Sequence, residues 1–488
     1  MEEKEAEMKR VDLLVEGGWM ITMDSKRRIF ENGAVAIRGN RIVDVGKTSE
    51  IKKGYRAAKT ISAKDKLIIP GLVDAHIHTH HTLTKGMIDD ISCNPWCDQA
   101  FAFCFANLNP ESYYISALIT CLQMMKTGTT SYIECGTVPP MEDRVVKAIE
   151  ETGIRAVVGR VMWDLFEGPG FRSYPTRSRG CKRETTEEAL SRAEDFIKRS
   201  NGKANGRIQT WFSLHQVPNC SPKLCRGVRD LSDKYDLGIL THAGVVEEMV
   251  QWTVQRFGMR DIEYLSTVGI LGPDFLAAHM AWITGNEMML IRETKSNIVH
   301  NVSSSMKGGY GSVSRGKFPE MISAGINVAL GCDGANCSNH LDMVREMFLA
   351  AVAHKEVRQD TTVMPPELVL EMATLNGAKA MKLEKRIGSL EPGKLADLVL
   401  FNLNRPEWVP THRFNLIRNL VYSASGDSVD TVIIDGKVTV ENGRCVTVDE
   451  EEIYREAKRL IKPFIRVKAQ AVRKEARKSP RDELWKVI

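Results

Sequence analysis

Apolar positions along this chain come in two textures. Near the start they form short alternating runs broken by turn residues. Val35-Ala36-Ile37 and Arg41-Ile42-Val43-Asp44-Val45 flank Arg38-Gly39-Asn40, the pattern of a hairpin. The same texture returns late. Leu398-Val399-Leu400-Phe401 is followed by a run from Thr431 to Val440 that folds about Asp435-Gly436, a tight-turn pair. Two β-rich ends bracketing a different middle predict one small composite β-sandwich domain built from residues 11–66 and 388–450.

The middle, residues 67–387, alternates apolar runs of strand length with helical periodicity. The strands are predicted at Leu72–His78, Thr130–Cys135, Ala156–Val161, Ile208–Leu214, Gly238–Ala243, Phe275–Met280, Asn297–His300 and Asn327–Asp333. Helical stretches such as Glu111–Lys126, Thr186–Lys198 and Pro222–Lys234 lie between them. Eight strand–helix repeats predict a (β/α)8 TIM barrel, so the fold class is α/β.

Composition leaves that picture standing. Of 488 residues 43% are hydrophobic and 26% charged, an ordinary globular balance. The net charge of +5 is uneven: from Ile453 to Ile488 there are 12 Lys/Arg against 4 Asp/Glu. This basic stretch, residues 451–488, has helical periodicity and reads as a solvated or packed terminal helix. It lacks the interleaved aromatics of a base-stacking surface, so neither nucleic acid nor a membrane is expected as a partner. The charged start Met1-Glu2-Glu3-Lys4-Glu5 has no apolar signal region, and no run is long enough to span a bilayer. Eleven scattered cysteines with no C-x-x-C pair fit free thiols in a reducing cytoplasm.

Candidate chemistry begins at Asp74-Ala75-His76-Ile77-His78. Two histidines spaced i, i+2 at the end of a strand point to the same face and can offer two imidazoles to one ion. Chemistry in a barrel sits at the C-terminal ends of its strands. Read in order, those ends carry His76 and His78, then His215, His242, His279, His300 and Asp333. Six of the chain's eleven histidines fall there. Neutral imidazoles with one carboxylate suit one divalent metal ion, zinc first and iron second. Such an ion lowers the pKa of its water towards roughly 7 and supplies hydroxide for hydrolysis. Gly308-Gly309-Tyr310-Gly311 lacks the Lys-Ser/Thr of a phosphate-binding loop.

These residues carry a family resemblance. Pro70–His78, Thr241-His242-Ala243, Ala277–Met280, His300–Ser303, Gly331–Ala335, Ala373–Ala380 and Gly388–Leu398 together resemble the amidohydrolase superfamily. The nearest branch is similar to the triazine hydrolases and the S-adenosylhomocysteine/methylthioadenosine deaminases. The resemblance implies a barrel with a composite β-sandwich, a single catalytic metal, and a homodimer or larger assembly. It implies His76, His78, His242 and Asp333 as metal ligands, with Asp333 also moving protons. It implies His279 as the catalytic histidine that polarises water or substrate, and His215 as a substrate-side histidine. His300 is expected to support its loop. His80, His81, His340 and His354 are expected to be packed or exposed.

Three departures bear on the substrate. The deaminases carry H-x-x-E on strand five, with the Glu shuttling a proton; here His242-Ala243-Gly244 leads to Val245. Glu247 and Glu248 follow, either as a substitute shuttle or as a solvated helix start. Nucleoside-acting relatives place a ribose-binding Glu in the loop after Trp96; counted from that tryptophan, the slot falls near Phe105. Trp96, Phe101 and Phe105 read either as helix packing or as an apolar lid over the substrate. Ser303-Ser304-Ser305-Met306-Lys307 stands where relatives have S-N-x-K-L. The expected activity is hydrolysis of a carbon–nitrogen bond in a small neutral N-heterocyclic or urea/amide-like molecule. The alternatives are a purine or nucleoside deaminase with a different proton shuttle, and a halide-releasing triazine-type hydrolase.

Overall fold

The computed structural model describes residues 8–100, 107–167 and 183–467. Phe101, Phe105 and the end of the basic tail lie outside the described residues.

Eight parallel strands form the barrel: β6 (Leu72–Ile77), β7 (Thr129–Thr137), β8 (Arg155–Met162), β9 (Ile208–Gln216), β10 (Ile239–Ala243), β11 (Phe275–His279), β12 (Asn297–His300) and β13 (Asn327–Leu330). Each pairs with its sequence neighbour, from β6 round to β13. The seam between β13 and β6 is drawn together just past the end of β13. There the Asp333 amide donates to the His76 carbonyl at 2.9 Å, and the Cys332 amide donates to Asp74 Oδ1 at 3.1 Å. Every residue of β6, β7 and β8 is buried, as expected for strands covered by helices outside and by each other within. That is why these strands read as near-continuous apolar runs.

The helices are started by local chemistry. Asn109 caps Pro110–Lys126 by accepting from the amides of Glu111 and Ser112. Thr185 and Glu188 form a reciprocal capping box on Thr186–Ser200. Such caps contribute about 1 kcal/mol each.

Both chain ends build a second, mixed sheet. Its order is β17 (Arg444–Cys445), β16 (Lys437–Glu441), β15 (Val429–Ile434), β14 (Leu398–Asn402), β5 (Lys66–Pro70), β1 (Lys9–Ile21), β2 (Ile29–Arg38) and β3 (Arg41–Lys47), with β4 (Tyr55–Ser62) also pairing β1. The antiparallel β14–β5 pairing is the join between the two ends. The predicted hairpin β2–β3 and the Asp435-Gly436 turn between β15 and β16 are both present.

A buried ion cluster ties sheet to barrel. Arg155, at the start of β8, donates to Asp397 at 2.8 and 3.1 Å and to Asp435 at 3.2 Å. Burial opposes its charge, but the two carboxylates raise its pKa above the ordinary arginine value. The basic tail begins as the helix Glu450–Leu460, whose Asp449 cap accepts from the Glu452 amide. Among the described residues no helix is long and apolar enough to cross a membrane.

Candidate active site

The ends of the barrel strands deliver their side chains to one cavity. His78, His215, His242, His279 and Asp333 all line it. His76 lies beneath them, fully buried. The ring centroids of His76 lie 4.9 Å from His78, 5.0 Å from His242 and 5.3 Å from His279. Asp333 Oδ1 lies 3.5 Å from His76 Nε2 and 3.5 Å from His78 Nε2, while Oδ2 lies 3.9 Å from His279 Nε2. Two overlapping sets of ligand atoms, His76–His242–His279 and His76–His78–Asp333, each fall within 4.8 Å.

The backbone bends sharply to achieve this. His279 and Asp333 have φ of 78° and 62°, in the left-handed region. Such conformations cost of order 1 kcal/mol and cluster at functional sites. They also end β11 one residue, and β13 three residues, before the predicted ends at Met280 and Asp333. Close approach matters too. A Cβ added at Gly136 would stand 2.8 Å from His78 Nδ1, and one at Gly334 only 1.9 Å from His81 Nδ1.

The donor set fits a divalent cation. His76 has both ring nitrogens buried without a hydrogen-bond partner, and so has His279 at Nδ1. His242 Nδ1 donates to the His215 carbonyl at 2.5 Å, which leaves its Nε2 bare as a ligand. That Nε2 faces His78 Nε2 at 3.2 Å, nitrogen to nitrogen. Burial opposes charge on His76, but Cys135 and Asp333 beside it raise its pKa to about 10; burial keeps the other imidazoles lining the cavity neutral. It pushes His242 down to about 4, helped by His76, and His279 and His215 down to about 3. Burial alone would raise Asp333, but the His76 imidazole beside it holds the carboxyl well below its usual range. Imidazoles around one ionised carboxylate suit a borderline cation, whose binding displaces the proton held by His76.

The cavity wall combines apolar surface with thiols. Trp96, Val138, Val161, Trp163, Val245 and Tyr310 line it, as do Cys93, Cys97 and Cys337. Trp96, one of the three aromatics expected either to pack a helix or to cover the substrate, is thus part of the wall. Val245 stands in the wall, so the position of the H-x-x-E carboxylate is apolar here. Glu247 and Glu248 are exposed on the first turn of the helix Glu247–Phe257, and neither lines the cavity. His300 is buried away from both ligand sets. Its Nε2 lies 2.8 Å from His354 Nε2, and its ring stacks on Phe318 at 3.6 Å.

Several residues escaped the sequence reading. Glu134, fully buried on β7, accepts from the amides of Thr79 at 2.8 Å and Gly136 at 3.2 Å, and lies 4.0 Å from His78 Nδ1. Burial raises its carboxyl to about 7. A glutamate inside the apolar run Thr130–Cys135 was the available signal. His80 and His81, expected to be packed or exposed, are buried and line the cavity. Tyr310 and Trp163 come from loops after strands and carry no periodic signal.

Comparison with known proteins agrees with this geometry. The model of the Amidohydrolase family matches residues 67–439. The chain is 34% identical over 429 residues to a 5'-deoxyadenosine deaminase of Methanobrevibacter smithii, covering 88% of this chain and 93% of that one. It is 34% identical over 438 residues to a 5-methylthioadenosine/S-adenosylhomocysteine deaminase of Halothermothrix orenii, covering 89% and 95%. Among solved structures, an adenosine deaminase from Xanthomonas campestris with bound zinc superposes with a TM-score of 0.86 at 28% identity, covering 94% and 99%. An atrazine chlorohydrolase from Arthrobacter aurescens with zinc shares the fold, with a TM-score of 0.82 at 21% identity, covering 92% and 100%. With its histidine-and-aspartate cluster at the mouth of the barrel, the chain belongs to the amidohydrolase family.

Proposed function

We propose that this protein hydrolyses an exocyclic carbon–nitrogen bond of a small neutral N-heterocycle, using one divalent metal ion, zinc by preference. The observation that carries the reading is the convergence of His76, His78, His242, His279 and Asp333 beneath a cavity whose strand-five wall is Val245. A divalent ion held by His76, His78, His242 and Asp333 supplies Lewis acidity and makes hydroxide available near neutral pH.

The chain's own residues do the rest. Asp333 Oδ1 is engaged by the Gly334 amide at 2.7 Å, while Oδ2 faces His279. Asp333, ionised beside His76, takes a proton from the attacking water at Oδ2. The C–O bond forms, the C–N bond breaks, and Asp333 returns that proton to the departing nitrogen. His279, kept neutral by burial, orients the substrate by hydrogen bonding. Trp96, Trp163 and Tyr310 hold the ring and exclude bulk water. Glu247 and Glu248 serve as proton relays only after a rearrangement of the helix start.

The similarity to 5'-deoxyadenosine and 5-methylthioadenosine/S-adenosylhomocysteine deaminases supports a second reading, deamination of an adenine nucleoside. The sequence disfavours it, because the ribose-binding Glu expected near Phe105 is absent from that aromatic stretch, and an apolar residue there would leave ribose hydroxyls unpaired. Ammonia release from aminotriazines, aminopyrimidines, free aminopurines and adenosine derivatives separates the two. Turnover confined to the nucleosides overturns the first reading. We further place the protein in the cytoplasm as a homodimer or larger; the described cysteines, none of them in a disulfide, support the compartment. Light scattering at working concentration tests the assembly.

A further inference from the structure

Behind the barrel seam lies a second group of buried donors that the proposed chemistry does not use. Cys332, His340 and Glu346 each present a ligand atom, and these atoms lie within 4.8 Å of one another. All three side chains are buried. Neither ring nitrogen of His340 has a hydrogen-bond partner, and its Nε2 stands 3.6 Å from Glu346 Oε2. Glu346 Oε1 accepts from the amides of Val302 at 2.7 Å and Ser303 at 3.1 Å, which fixes the carboxylate and leaves Oε2 unsatisfied. Asp74 repeats the pattern. Its Oδ1 accepts from the amides of His76 and Cys332 at 3.2 and 3.1 Å, and its buried Oδ2 has no partner.

Unsatisfied buried polar atoms cost about 1–3 kcal/mol each, so the bare atoms of His340 and Glu346, with Asp74 beside Glu346 and Cys332, call for a shared partner that takes one nitrogen of His340. A thiol, an imidazole and carboxylates are the donors a tetrahedral borderline cation takes. The group is closed, since none of its members lines the catalytic cavity. We propose that Cys332, His340 and Glu346, with Asp74 as the fourth donor, form a second, structural metal site that takes Zn²⁺. Its donors come from β6, from the loop after β13 and from the helix Met343–Arg358. Occupancy therefore clamps the barrel seam. Cys332 adjoins Asp333, and Asp74 lies two residues before His76, so the clamp also fixes two residues of the proposed catalytic site.

The test is metal counting with a spectroscopic label on the full chain. After zinc loading and desalting, about two metal equivalents per chain are expected, falling to about one in Cys332→Ser and in His340→Asn. With cobalt in place of zinc, a thiolate-to-metal charge-transfer band is expected. It disappears in Cys332→Ser and persists in Cys135→Ser and Cys337→Ser, whose thiols stand beside His76 and His81 respectively. One equivalent in the wild-type chain, or a band that survives Cys332→Ser, overturns the proposal. If Cys332→Ser fails to fold, His340→Asn supplies the same count, and a wild-type cobalt spectrum without the band is by itself decisive against the site. A failure of the catalytic reading appears differently, as a chain that keeps the band but shows no hydrolysis.

Discussion

Asp333 concentrates the argument at the residue scale. Its left-handed backbone, its amide bonded to His76 and its carboxylate between three histidines support the role proposed for it, a ligand that also carries protons. Asp333→Asn keeps the shape and cannot accept the proton, so kcat should fall by about 10²–10⁴ with the circular dichroism spectrum unchanged. Wild-type turnover in that variant would remove Asp333 from the mechanism. The histidines proposed as ligands were legible as candidates because H-x-H and strand-end positions carry a geometric meaning. Glu134 was not, because a lone buried glutamate in a strand acquires its role only from the His78 ring that the fold brings beside it. The pair His340 and Cys332 was equally silent, since the contact depends on how the loop after β13 returns to the seam.

At the scale of elements, the eight barrel strands were readable because strands buried on both sides form continuous apolar runs. Their ends were less so, because backbone reversal at His279 and Asp333 is imposed by the site rather than by propensity. The ion cluster of Arg155, Asp397 and Asp435 joins β8 to the second sheet, and nothing local in the sequence announces it. Asp397→Ala leaves the buried guanidinium with Asp435 alone and should cost about 3 kcal/mol in urea unfolding, whereas Arg155→Met with Asp397→Leu should recover most of it. Equal losses in the single and double variants would show that the cluster is not the joint.

The paired imidazoles of His300 and His354 set a second expectation at this scale. Burial and the neighbouring Arg358 push His354 down to about 4. An unfolded histidine takes up its proton near 6.5, so below that pH only the unfolded chain is protonated. Stability present above about pH 6.5 is therefore lost as the pH falls towards 4, by about 2 kcal/mol between pH 7 and pH 5. Replacing both histidines with leucine should flatten that part of the pH profile of unfolding free energy. An unchanged slope would place the acid sensitivity elsewhere.

Over the whole molecule, one chain wraps a barrel with a sheet made from its two ends, and the barrel mouth gathers the donors. Removal of metal by a chelator should abolish hydrolysis and added Zn²⁺ should restore it, while the fold persists. Activity that survives complete metal removal would exclude the donor set from catalysis. The fold class was visible in the sequence, and so were the candidate donors, but substrate choice was not, because it depends on cavity walls such as Val138, Trp163 and Tyr310 that come from separate loops. Substrate choice is also what the most direct measurement addresses: kcat/KM of the zinc-loaded protein for free amino-heterocycles against their ribosides, followed by ammonia release. A preference of at least about tenfold for the free heterocycle is predicted, the scale of one lost polar contact. A preference of that size for adenosine or 5'-deoxyadenosine would contradict it, and would make Val245 and Phe105 features of a nucleoside deaminase.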